Sequence, residues 1–77
     1  MAAYLTISSL AKSAGVHIQT VRYYERCRLL KPAARSSAGY RLYGVNEVRQ
    51  LRAIKNAQAL GFTLREIGEL LSLRVNG

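Results

Sequence analysis

Seventy-seven residues, 49% of them apolar, suffice for one small domain with a limited core. Twelve Lys plus Arg against four acidic residues leave a formal charge of +8, the electrostatic footprint of a nucleic-acid binder. One Cys and one His exclude an internal disulfide and a four-ligand zinc site within one chain, and no apolar run approaches the roughly 20 residues that span a bilayer.

Residues 1–5 read as a fraying end or a short strand at Tyr4-Leu5, with no basic start and apolar stretch of the kind a signal peptide needs. Thr6 is placed to cap a first helix. Ile7, Leu10, Ala11 and Ala14 then recur at the spacing of one apolar helix face, which predicts a helix over 7–14. Gly15 ends it, because Gly takes the left-handed conformation without a Cβ penalty. Helix, short glycine turn and helix is the helix-turn-helix signature. The second helix, 18–27, starts weakly, since His17 is a poor cap and reads only as a turn residue. It stops before Pro32.

Along this second helix Gln19, Arg22, Tyr23 and Arg26 form one polar stripe, while Val21 and Tyr24 point the other way. Guanidinium, amide and phenol groups can bond phosphates and base edges in a major groove. The plainer alternative is a solvated basic face. The net charge and the flanking elements favour the binding stripe. Cys27 reads as a half-buried filler and not as a metal ligand.

Residues 31–44 change character. Ser36-Ser37-Ala38-Gly39 is a turn cluster, and Tyr40-Arg41-Leu42-Tyr43 alternates as a strand does. Paired with Leu30-Lys31-Pro32 it makes a small hairpin, over 30–43, that must lean on the helices. Lys31, Arg35 and Arg41 make this ribbon basic. It therefore reads as a wing beside the second helix, with a basic surface turn as the plainer reading. Tyr40 and Tyr43 fall on opposite faces, so at least one packs inward.

Asn46 is placed to cap a third helix over 46–60, with Glu47 favourable in its first turn. Val48, Leu51, Ile54, Ala57 and Leu60 should face the core. Arg49, Arg52, Lys55 and Asn56 should take the outer face, where the cations add general attraction for a polyanion. Gly61 closes the helix. Thr63 and Glu66 make a capping box, and Phe62 and Ile67 a hydrophobic staple. They open a fourth helix over 64–72, with Leu64, Ile67, Leu70 and Leu71 as its apolar face. Leu73, Val75 and Asn76-Gly77 read as a linker. The fold class is mainly α: a winged helix-turn-helix of four helices with a small two-stranded wing, residues 1–77 forming one domain. No acid/base pair, Ser-His-Asp set, phosphate-cradling glycine loop or metal motif stands out, and no enzyme is expected.

Thr6-Ile7-Ser8-Ser9-Leu10-Ala11, Gly15-Val16, Thr20-Val21-Arg22-Tyr23-Tyr24-Glu25, Leu29-Leu30, Gly39-Tyr40-Arg41-Leu42-Tyr43 and Leu60-Gly61-Phe62-Thr63-Leu64-Arg65-Glu66-Ile67 follow in an order and spacing that is specific when taken together. The chain resembles, over almost its full length, the N-terminal DNA-binding domain of bacterial MerR-type transcription regulators. The resemblance implies a homodimer in the full-length protein and a pseudo-palindromic site in double-stranded promoter DNA. It also implies activation by twisting and bending an overlong promoter spacer, with RNA polymerase as an indirect partner. It implies a cytoplasmic, nucleoid-associated bacterial protein with no membrane partner.

Carried over by position, Arg22, Tyr23 and their neighbours would meet the major groove, and Tyr40 and Arg41 of the wing the flanking backbone. With the stripe and the charge of the hairpin, the expected contacts are Gln19, Thr20, Arg22, Tyr23 and Arg26 on the helix and Arg35, Tyr40 and Arg41 on the wing. Lys12, Tyr24, Arg28, Lys31 and Lys55 are further candidates for phosphate contact. Leu70-Leu71-Ser72-Leu73-Arg74 looks most like the heavy-metal-sensing branch. Two features depart from the pattern. The family usually has Gly where Arg28 stands, and a left-handed backbone there would cost Arg roughly 1 kcal/mol. The family's dimerisation helix and effector segment, with the metal-binding cysteines, lie beyond residue 77, so truncation is the expected reading. A metal ion or small effector would bind that segment, and no cofactor is expected in residues 1–77. An excisionase-like DNA-bending protein and a basic RNA-binding domain stay open as alternatives.

Overall fold

In the computed structural model, which describes residues 4–76, four helices and two short strands follow in the order α1 (Ile7–Ala14), α2 (Ile18–Arg26), β1 (Ala34–Arg35), β2 (Arg41–Leu42), α3 (Val45–Ala59) and α4 (Leu64–Asn76). None of these helices is long and apolar enough to cross a membrane. Residues 1–3 and Gly77 lie outside the described residues. Residues 73–76 continue α4 and are not the linker expected of them, because nothing there breaks a helix.

The first three helices end alike. The backbone N–H groups of Gly15 and Val16 donate to Lys12 and Ala11, at 3.2 and 3.0 Å. Those of Arg28 and Leu29 donate to Glu25 and Tyr24, at 3.1 and 2.9 Å. Those of Gly61 and Phe62 donate to Gln58 and Ala57, both at 3.0 Å. This pair of bonds, closed by one left-handed residue, satisfies the carbonyls a helix end leaves orphaned. The left-handed residues are Gly15, Arg28 and Gly61, at φ +70°, +62° and +101°. Only Arg28 carries a Cβ into this region, and its side chain makes no hydrogen bond or ion pair among the described residues. Arg28→Gly is therefore expected to leave thermal stability unchanged or to raise it by up to about 1 kcal/mol, a gain of roughly 4–8 °C in a domain of this size. A lower melting temperature on calorimetry would sink this account of the α2 end.

Helix starts are set by short-range capping. Thr6 Oγ1 accepts the Ser9 amide at 3.2 Å. His17 makes no side-chain cap, as its residue type predicts. The cap of α3 is Gly44 and not Asn46, because Glu47 reaches back to accept the Gly44 N–H at 2.7 Å and starts the helix at Val45. At α4, the Thr63 and Glu66 side chains each accept the other's backbone N–H, at 3.1 and 2.9 Å. Of the pair expected to staple this start, Ile67 is buried and Phe62 exposed.

The wing pairs Ala34 with Leu42 and Arg35 with Arg41 in antiparallel register. Leu30-Lys31-Pro32 is not its partner. A three-residue loop, with Gly39 left-handed at φ +88°, brings Ser36 opposite Tyr40 and sets the register. Leu30 is drawn into the core instead, and Pro32 has no N–H to give a ladder. On the inner side Leu5 and Tyr43 exchange N–H···O bonds of 2.6 and 2.8 Å, so the chain start adds a short strand to the ribbon.

The core gathers Leu10, Ala11 and Ala14 of α1, Val21 and Tyr24 of α2, Leu29, Leu30 and Tyr43 of the connections, Leu51 and Ile54 of α3, and Ile67 of α4. Helix α3 also holds its neighbours through polar side chains. The amide of Gln50 donates to the Leu29 carbonyl, and Gln58 accepts the Tyr24 hydroxyl. Arg52 donates to the Ser13 carbonyl at 2.9 Å, and Lys55 to those of Ala14 and Gly15 at 3.2 and 3.4 Å. Two cations thus meet the negative end of α1. Leu60 follows the helical period but lies in the cap, beyond the last turn of α3, and is 79% exposed. Leu70 is also exposed, and so is Cys27, which is not the half-buried filler expected. Cys27 falls where α2 gives way to its turn, off the apolar face.

Candidate nucleic-acid interface

Helix α2 buries Val21 and Tyr24 and turns Gln19, Arg22, Tyr23 and Arg26 outward, as its period predicts, with Thr20 half-buried at the margin. The Arg26 guanidinium carbon lies 6.0 Å from the centre of the Tyr23 ring, within cation–π range, which restrains both side chains. Neither Arg22 nor Arg26 has an ion-pair or hydrogen-bond partner among the described residues. At the other end of the helix, Gln19 shares a shallow cleft with Lys12, Ser8 and His17, where α1 meets the turn.

Between α2 and the wing runs a groove lined by Arg22, Glu25, Arg26 and Arg41. Arg41 is fixed there, its Nη1 lying 3.1 Å from Glu25 Oε1. The other oxygen of Glu25 accepts the Tyr43 hydroxyl at 2.8 Å. At the wing tip, Arg35 Nη1 donates to the Gly39 carbonyl at 3.2 Å, and Tyr40 is 72% exposed. Tyr40 and Tyr43 are thus divided between solvent and core.

Four phosphate candidates sit differently from expectation. Tyr24 is buried, and its hydroxyl is spent on Gln58, since a phenol inside a core takes the nearest acceptor. The ammonium of Lys55 is held by the carbonyls that end α1. Arg28, together with Lys31, lines a second hollow against Glu47, Gln50 and Gly68 of the supporting helices, which shares Glu25 with the Arg22 and Arg41 groove but contains neither of those arginines. Lys31 belongs to the connection after α2 and not to a strand of the wing.

Two residues of the site, Glu25 and Tyr43, escaped the reading of the stripe. The available signal was Glu25 itself, a carboxylate lying between Arg22 and Arg26 along α2. Burial first, and then the hydrogen bond to Glu25, push the Tyr43 hydroxyl up to about 12. A phenol that holds its proton more tightly when folded stabilises the fold fully below its unfolded value near 10. That contribution is lost as pH rises through about 12. Melting temperature should therefore decline between pH ~10 and ~12, and Tyr43→Phe should flatten this part of the profile. Equal slopes in the two proteins would refute the assignment.

Two helices joined by a tight glycine turn, the outer one carrying free cations, with a basic ribbon at its side and two supporting helices behind, define a winged helix-turn-helix domain. Residues 5–73 match the model of the MerR HTH family regulatory proteins, and the chain belongs to that family. It is 46% identical over 69 residues to the mercuric resistance operon regulatory protein of Serratia marcescens, covering 90% of this chain and 48% of that one. It superposes with a TM-score of 0.86 on the transcription regulator PbrR691 from Ralstonia metallidurans, solved with lead(II), at 38% identity over 94% of this chain and 56% of that one. A TM-score of 0.91, at 21% identity and covering 97% of this chain and 57% of that one, relates it in fold to HiNmlR, a family regulator lacking the sensor domain and solved bound to promoter DNA. The chain spans about half the length of the curated relatives it matches. These relatives are named as regulators and not as enzymes.

Proposed function

We propose that this chain is the sequence-specific DNA-binding domain of a MerR-type transcription regulator. Helix α2 enters the major groove, the wing anchors on the flanking phosphates, and two copies in the parent protein occupy a pseudo-palindromic promoter and distort its spacer for RNA polymerase. The observation that carries this reading is the groove in which Arg22 and Arg26 of α2 face Arg41 of the wing. It sets three guanidinium groups from two elements beside one another, as needed to grip phosphates on either side of a base-reading helix. The domain itself performs no catalysis.

The similarity to regulators named for mercury and lead supports placement in the heavy-metal-responsive branch. Effector binding belongs outside residues 1–77, whose one Cys and one His are too few donors for such an ion. The parent protein acts in the bacterial cytoplasm, at the nucleoid. The test is a binding selection from random duplex DNA, with the domain fused to a dimerising coiled coil. The expected product is an enriched site with dyad symmetry and a fixed half-site spacing. Tight but unselective binding, or a preference for structured RNA over duplex DNA, would refute the reading.

A further inference from the structure

The acidic residues of this chain are few, and each has a definite place. Glu47 and Glu66 accept the backbone N–H groups of Gly44 and Thr63 at helix starts, and Glu69 pairs with Arg65 one turn along α4 at 3.8 Å. Glu25 alone stands in the groove that faces the proposed DNA. A carboxylate there opposes an approaching phosphate, so its presence lowers the general attraction of the domain for any polyanion. It also performs a task that no other group shares. Among the described residues, the hydrogen bonds that join α2 to the wing are the two made by Glu25, to Arg41 and to Tyr43. The side chain of Glu25 is 11% exposed and that of Arg41 46%. The cation is therefore open to a phosphate while its position is held from behind.

We propose that Glu25 is a positioning and specificity-determining residue. It fixes the wing and the Arg41 guanidinium relative to α2, and it weakens binding to DNA on which that geometry is not used. This inference rests on the DNA-binding reading above and predicts effects of opposite sign on two kinds of duplex. Binding to arbitrary duplex depends mainly on the number of cations met by phosphates. Binding to the correct site also needs wing and helix in register with the duplex.

The experiment compares the wild-type chain, Glu25→Gln and Tyr43→Phe, in the same coiled-coil fusion, on the duplex recovered by selection and on a scrambled duplex of equal length. Glu25→Gln keeps the shape and an acceptor for the Tyr43 hydroxyl but removes the charge. On the scrambled duplex it should bind roughly three- to eightfold more tightly, with a salt slope steeper by up to about 0.9, as for one cation released. On the selected duplex it should bind no better than wild type or more weakly, so that the ratio between the two duplexes collapses. Tyr43→Phe keeps the charge pair and loosens the wing. It should weaken binding to the selected duplex and leave the salt slope on the scrambled one unchanged.

A parallel loss on both duplexes with unaltered slopes in Glu25→Gln would reduce Glu25 to a structural tie and overturn the proposal. If that variant does not fold, Tyr43→Phe decides, and equal affinity to wild type on the selected duplex overturns the positioning role. Wild-type protein that fails to distinguish the two duplexes refutes the sequence-specific reading itself, whatever the variants do.

Discussion

Arg22→Ala is expected to lose about eightfold in duplex affinity at ~0.1 M monovalent salt, with the slope of log affinity against log salt falling by about 0.9. The guanidinium of Arg22 is exposed on α2 and has no partner among the described residues, so the fold gives up nothing when it goes. Its loss should appear in binding and not in stability. Arg41→Ala removes a second cation from the same groove, but with a further consequence. It leaves the Glu25 carboxylate in the groove without its ion-pair partner at 3.1 Å, an uncompensated negative charge beside the proposed phosphate path. The affinity loss should therefore exceed that of Arg22→Ala, while the Tyr43 hydrogen bond continues to hold the wing. Titrations by fluorescence anisotropy over a salt series would measure both slopes. Unchanged slopes in both variants would eliminate the arrangement of recognition helix and wing.

The largest effect on stability is expected at Ile54. Its side chain is fully buried where α3 packs behind the helix-turn-helix. Truncation to Ala should cost about 2–5 kcal/mol, from lost transfer energy and the cavity left behind. A domain of this size draws only about 3–5 kcal/mol from its core, so Ile54→Ala should be largely unfolded at room temperature by circular dichroism. Leu60→Ala is the matched control. Leu60 lies on the same apolar period of the sequence but is 79% exposed, and its truncation should change stability by less than about 0.5 kcal/mol. Comparable losses in the two variants would mean that the period, and not the observed end of α3, determines what is buried.

Most of the architecture was legible because it is decided locally. Thr6 and Thr63 as caps, Gly15 and Gly61 as left-handed stops, the apolar face of α1 and the outward stripe of α2 all follow from residues within about four positions of one another. The corrections arise where local rules compete. At the start of α3, Asn46 is the better cap by residue type, but Glu47 can bond the Gly44 N–H, and the cap falls two residues earlier, at Gly44. At Leu60 the apolar period outruns the helix. In the wing, aromatic alternation located one strand correctly and left its partner undetermined, because register is set by the loop geometry and by where Leu30 finds the core.

The candidate site divides in the same way. The sequence by itself determined that this chain is a small, strongly basic, four-helix domain with a cationic outer face on its second helix. Charge and helical period are properties of the chain before it folds. Only the tertiary structure decided which of the cations are free. Arg52 and Lys55 are spent on the carbonyls that end α1, whereas Arg22 and Arg26 remain available. The clasp that joins α2 to the wing also exists only in the fold, where Glu25 meets Arg41 and Tyr43 from 16 and 18 residues away. No local periodicity encodes a contact of that range. It forms because Tyr43 is buried in the core, with its backbone bonded to Leu5, and its hydroxyl there meets Glu25 near the end of α2.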